Sequence, residues 1–139
     1  MKRKTILVLS LLLLTIFLLS CVTSHDIHVA ISCDDFMKNP TSMLNDFKIE
    51  VGDKVYVELC SNPTTGFEWS YEISGDVAVK EEDHDFQEPE SDLPGAAGKE
   101  TWTFEGISKG KSEILMEYSQ PWSGGMKKEW TYKITITVE

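Results

Sequence analysis

Positive charge is scarce in this chain: 13 lysines and arginines stand against 23 aspartates and glutamates, a formal net charge of −10. Three of the cations, Lys2, Arg3 and Lys4, crowd the extreme N-terminus; without them 10 remain against 23, a charge of about −13. So acidic a chain lacks the cationic face that phosphate backbones demand, and nucleic acid is not an expected partner. Glycine and proline, at 9 and 5 residues, are too few for a disordered or collagen-like polymer. Internal repeats are absent, and no stretch has a convincing helical period. Long apolar runs are absent too, except for one at the start. What remains is the length and composition of a single packed domain.

The exceptional run, Ile6 to Leu19, follows the basic triplet and is short for a membrane span, so residues 1–20 read as a secretory signal. Its end, Leu18-Leu19-Ser20-Cys21, resembles a bacterial-type lipobox, in which cleavage precedes the cysteine and a lipid joins its thiol. Cys21 is then the expected first residue and lipid carrier, residues 21–26 a tether and residues 27–139 the domain. The alternative is a plain signal peptide with a chance cysteine. Either way the domain leaves the cytoplasm, and the expected location is the cell envelope, anchored in a membrane by the N-terminal lipid.

From Ile27 onward, apolar and polar residues alternate over short stretches, the mark of strands half buried against one core. Ile27, Val29 and Ile31 make a first strand. Phe47, Ile49 and Val51 make a second and Val55, Val57 and Leu59 a third, with Gly52-Asp53 as the turn of an expected hairpin. Phe67 to Ile73, a short Val77 to Val79 piece, Trp102 with Phe104, Ile114 to Tyr118 and Trp130 to Val138 complete the set. Residues 32–46, with Asn39-Pro40, read as a long connection with room for a helical turn around Phe36 to Lys38. Seven or eight strands in this length predict an all-β, immunoglobulin-like antiparallel sandwich.

Three loops carry more Gly, Pro and aromatic character than simple turns need. In Asn62-Pro63-Thr64-Thr65-Gly66-Phe67, Pro63 fixes its own φ and restricts Asn62, the threonines have few rotamers, and Gly66 is free to take a positive φ. A stiff tip follows. The second runs from the acidic stretch Glu81 to Asp85 through Glu88, Glu90 and Asp92 to Pro94-Gly95-Ala96-Ala97-Gly98, a polar connection whose length suggests function. Its carboxylates lack the spacing of a calcium-binding loop and read as a solvated charged segment. The third, Gln120-Pro121-Trp122 before Ser123-Gly124-Gly125, puts an indole on a turn, suited to partner contact.

Together these loops resemble those of the chagasin family of cysteine peptidase inhibitors. Residues 62 to 69 match that family's Asn-Pro-Thr-Thr-Gly-aromatic-x-Trp loop in full. Gly95, Gly98, Trp102 and Phe104 match a Gly-x-Gly-Gly-x-x-x-Trp-x-Phe segment, with Ala97 in place of a glycine. Pro121 and Trp122 match an Arg-Pro-Trp loop, with Gln120 in place of arginine. The resemblance implies a monomeric, reversible inhibitor of papain-like cysteine proteases. Asn62 to Gly66 would cover the catalytic cysteine and histidine, residues 94–99, with Pro94, Gly95, Ala96, Ala97 and Gly98, would run along the non-primed subsites, and Trp122 would lean on the primed side, with Phe67, Gln120 and Pro121 also in the protease-binding set.

No cofactor or metal is expected, because two cysteines and scattered histidines show no ligand spacing. An enzyme would need Cys33 or Cys60 as nucleophile with His25, His28 or His84 as base. In an exported protein a Cys33 to Cys60 disulfide is the better reading. The rival function is a tethered adhesive or carbohydrate-binding sandwich, since the fold serves many ends.

Overall fold

The computed structural model describes residues 24–139. The signal-like segment and Cys21 lie outside the described residues, as does the expected boundary at residue 20. Eight strands appear: β1 (Ile27–Ile31), β2 (Met43–Ile49), β3 (Lys54–Ser61), β4 (Glu68–Gly75), β5 (Val79–Gln87), β6 (Gly98–Gly106), β7 (Gly110–Ser119) and β8 (Trp130–Val138). One helix, α1 (Cys33–Lys38), stands between β1 and β2. The strands form two four-stranded sheets, ordered β1-β3-β6-β5 and β2-β8-β7-β4. Alternate residues turn inward and meet between them: Val55, Val57, Leu59 and Phe104 from one sheet, Ile114, Met116, Tyr132, Ile134 and Ile136 from the other. The all-β sandwich is as the alternation predicts. Among the described residues no helix is long and apolar enough to cross a membrane.

Strand direction sorts the connections. β1 lies parallel to β3 and β2 parallel to β8, while the other pairings are antiparallel. Odd-numbered strands therefore run towards one pole and even-numbered strands return. The connections after β1, β3, β5 and β7 gather at the first pole, and the short turns after β2, β4 and β6 at the second.

Three expectations need correction. β2 and β3 are not a hairpin: they lie in opposite sheets, β2 pairing with β8 (Phe47 with Ile136) and β3 with β1 and β6. Period-two alternation tells which face is buried, not which strand lies beside it, and two strands facing one core from opposite sides read alike. Secondly, Glu81 to Asp85 belongs to β5, paired along β6 with a bulge between Glu81 and Asp83; the connection proper is residues 88–97. β5 is an edge strand, exposed on both faces through most of its length, so it carries charge in place of alternation. Thirdly, residues 33–38 form a full α-helix. Ser32 caps it, its hydroxyl accepting the Asp35 N–H while Asp35 accepts from the Ser32 N–H, and Phe36 is wholly buried.

Candidate functional site

The tip after β3 is a single 3-10 turn, Pro63–Thr65, held by several hydrogen bonds of its own. Pro63 suits the first position because its missing N–H is needed by nothing there. The Asn62 side-chain oxygen accepts the Thr64 N–H at 3.2 Å and the Thr64 hydroxyl at 2.6 Å. Backbone carbonyls are engaged as well: Asn62 O accepts from the Thr65 N–H (3.1 Å) and hydroxyl (2.7 Å), and Pro63 O from the Gly66 N–H (3.0 Å). Gly66 closes the turn at φ 77°, in the left-handed region. Pro63, Thr64 and Thr65 stand exposed, while Phe67 turns inward, its ring 5.2 Å from Tyr118.

Beneath the tip lies a layer of aromatic rings. Phe36 and Tyr118 each pack against Trp69 and Trp130, with centroids 4.9–5.3 Å apart. Their polar ends reach upward: the Tyr118 hydroxyl accepts the Asn62 N–H at 2.8 Å, and the Trp69 indole N–H donates to Cys60 O at 2.9 Å. Buried aromatics thus supply both the floor and the fastening of the tip.

The neighbouring loops touch this tip directly. The Asn62 side-chain amide donates to Gly95 O at 2.9 Å, joining the second loop to the first. Gly98, where that loop re-enters β6, must be glycine for closeness: a Cβ there would stand 2.3 Å from Gln87 O. Ala97 is half buried against the core and does not have a positive φ, so its replacement of a glycine carries no left-handed strain. From the third loop the Trp122 ring lies over Gly66, whose missing Cβ would come within 2.5 Å of it, yet the indole remains 50% exposed.

Gln120 does not project as an arginine would. Its side-chain oxygen accepts the Met126 N–H at 2.9 Å, bracing the third loop from within. Of the two cations at this loop, Lys128 pairs with Glu117, and Lys127 donates from its ammonium to the carbonyl oxygens of Gln120 and Trp122. Tyr118 and Phe36 are legible in the sequence only as strand and turn residues, and Lys127 not at all, so none of the three was expected in the site. Lys127 and Tyr118 are spaced from the motifs by loop geometry alone, and the only signal for Phe36 in the site was the Ser32-x-x-Asp35 pattern ahead of it.

Cys33 and Cys60 are joined in a disulfide with Cα atoms 5.2 Å apart, which withdraws the two candidate nucleophiles among the described residues. Of the candidate bases, His84 bonds the Glu100 carboxylate at 2.9 Å and stacks on Trp102, and Glu100 also accepts the Ser61 hydroxyl. His28 stacks on Tyr56, and the backbone N–H of His25 donates to Asp53. Among the described residues no three His, Cys, Asp or Glu side chains converge as metal ligands.

Three stiffened loops thus converge at one pole of the sandwich over a fixed aromatic floor, an arrangement that presents one rigid surface. Residues 48–136 match a known family, described as Chagasin family peptidase inhibitor I42. The chain is 32% identical over 80 residues to chagasin from Trypanosoma cruzi, covering 55% of this chain and 73% of that one. Among solved structures it resembles the cysteine protease inhibitor EhICP2 from Entamoeba histolytica, with TM-score 0.64 and 18% identity over 84% of this chain and 100% of that one. It also resembles PbICP-C, solved in complex with falcipain-2, with TM-score 0.55 and 19% identity over 82% of this chain and 98% of that one. The chain belongs to the chagasin family: it is a cysteine protease inhibitor with an immunoglobulin-like fold, and not an enzyme.

Proposed function

We propose that this chain blocks papain-like cysteine proteases by filling their active-site cleft with the three loops at its odd-strand pole. The observation that carries this is their convergence: Asn62 bonds Gly95 O, and Trp122 lies over Gly66. Asn62 to Gly66 cover the catalytic pair, with Phe67 anchoring them from below. Pro94 to Gly98 follow the non-primed side and Pro121-Trp122 the primed side, while Gln120 holds its loop in shape.

Occupation without cleavage has a physical reason. A thiolate acylates only when a carbonyl stands at attack distance and angle, and the Asn62 and Pro63 carbonyls already accept hydrogen bonds inside the turn. The preformed tip loses little conformational entropy on docking. An interface of about 1,600 Å² is in reach of three such loops.

The inhibitor works as a monomer, exported and held at the cell envelope by a lipid on Cys21. Support for the anchor is the lipobox-like Leu18-Leu19-Ser20-Cys21 behind a basic and apolar leader. Titrating residues 22–139 against papain tests the main reading. Reversible, stoichiometric loss of activity is expected. Papain left fully active would reject it in favour of the adhesive or carbohydrate-binding sandwich.

A further inference from the structure

We propose that the pole opposite the three loops is a membrane-docking surface, which lies on the lipid bilayer and points the inhibitory loops into the surrounding medium. The proposal rests on the reading of Cys21 as the lipid-bearing residue.

Each of the three turns at that pole exposes one branched apolar side chain: Val51 at 53%, Val77 at 78% and Ile107 at 38%. Backbone bonds set the turns side by side. The Gly52 N–H donates to Gly106 O at 2.8 Å, the Ile107 N–H to Ala78 O at 2.8 Å, and the Ser108 hydroxyl to Val77 O at 2.6 Å. Packing of the core does not require these side chains, and turns ordinarily carry polar residues. The pole also carries carboxylates: Asp26, Asp53 and Asp76 accept backbone hydrogen bonds, Glu139 pairs with Lys48 and Glu50 is exposed, so the contact rests on the three apolar side chains, with Lys109 an exposed cation beside Ile107.

The chain enters the domain at this same pole. The His25 N–H donates to Asp53 Oδ1 at 3.0 Å, and the Lys54 N–H to Asp26 Oδ1 at 3.0 Å. Only residues 22–24 separate Cys21 from that fastening, a reach of about 14 Å when fully extended. The β3 strand alone, Lys54–Ser61, spans about 25 Å between the poles. A lipid on Cys21 therefore cannot reach the loop pole; it draws the three apolar turns to the bilayer. The protease is then met from the medium and not from the membrane plane.

The full chain, purified from the membranes of a bacterium that processes it, is placed in nanodiscs of phosphatidylethanolamine and phosphatidylglycerol, with and without a headgroup spin-labelled lipid. Methyl NMR signals are compared, and mass spectrometry reads the adduct on Cys21. With the spin label, the Val51, Val77 and Ile107 methyl signals are expected to lose most of their intensity while those of Thr64 and Thr65 keep theirs. The Val51→Asp, Val77→Asp double variant is expected to lose that selectivity with its lipid intact. A lipid on Cys21 with no loss at the three turns, or equal loss at both poles, overturns the docking and leaves the anchor standing. No lipid on Cys21 overturns both. Turn signals that respond to protein concentration and not to the spin label make a second copy the occupant and also overturn it.

Discussion

The two poles of this sandwich are joined by the same eight strands but are built differently. At one pole, residues 50–53, 76–78 and 107–109 cross between strands by short turns whose backbone groups bond to the neighbouring turn. At the other, residues 62–67, 88–97 and 120–129 make longer excursions, held in shape by side chains: Asn62, Gln120, Tyr118 and the Trp122 ring. Side-chain fastening lets a loop stand clear of the sheet and still be rigid, which a surface meant for another protein requires. It also makes the loop pole sensitive to single substitutions that the turn pole would absorb.

The largest expected effect concerns the disulfide, which ties α1 to the end of β3 just before the tip. It closes a loop of sequence separation 27, for which the chain-entropy argument gives about 3.5 kcal/mol of stability. Cys33→Ala with Cys60→Ala is expected to lower the urea midpoint accordingly, and an unchanged midpoint would show the loop pole to be held by its aromatic floor alone. Next comes Gly66→Val. It forces a branched residue into φ 77° and into the Trp122 ring, and is expected to weaken papain inhibition about 100-fold, near 2.7 kcal/mol. Trp122→Ala keeps the tip and removes only its cover. Inhibition is expected to weaken about 10-fold with stability moved by no more than about 0.5 kcal/mol. An unaltered inhibition constant would remove Trp122 from the interface.

The turn pole answers to acid. Asp53 accepts the Glu50 and His25 N–H groups, and these bonds hold its carboxyl below the ordinary 3.8. A lowered folded value means that its contribution is complete above about pH 3.8 and fades as pH falls through the folded value. Unfolding curves between pH 5 and about 2 are expected to show this loss, and Asp53→Asn to flatten it, while papain inhibition by that variant at neutral pH stays as before. A weakened inhibition there would mean that the two poles are coupled.

Much of this division was legible in the sequence. Alternation located most strands because residues such as Trp130, Tyr132, Ile134 and Ile136 face one core, and the tip was legible because Pro63 and Gly66 restrict the backbone by themselves. Strand pairing was not legible, since neither β2 nor β3 states on which side of the core it lies. Nor was β5, where burial no longer selects the residues of an exposed edge. The inward bond of Gln120 was not legible either, for a related reason. A side chain in a loop bonds either inward or outward according to the path of the backbone, and only the fold brought the Met126 N–H to it.

The smallest expected effect is at Ala97, which stands where the loop pattern it resembles has glycine. A glycine would matter if the loop needed a left-handed residue there, but that conformation belongs to Gly95, at φ 82°, and not to Ala97. The Ala97 methyl packs on the core, and alanine also restricts the unfolded chain. Ala97→Gly is therefore expected to cost about 0.5 kcal/mol of stability and leave papain inhibition within about twofold of its starting value. A several-fold gain in inhibition would mean that the second loop changes its backbone on the enzyme, and that its bond to Asn62 holds a resting shape and not the docked one.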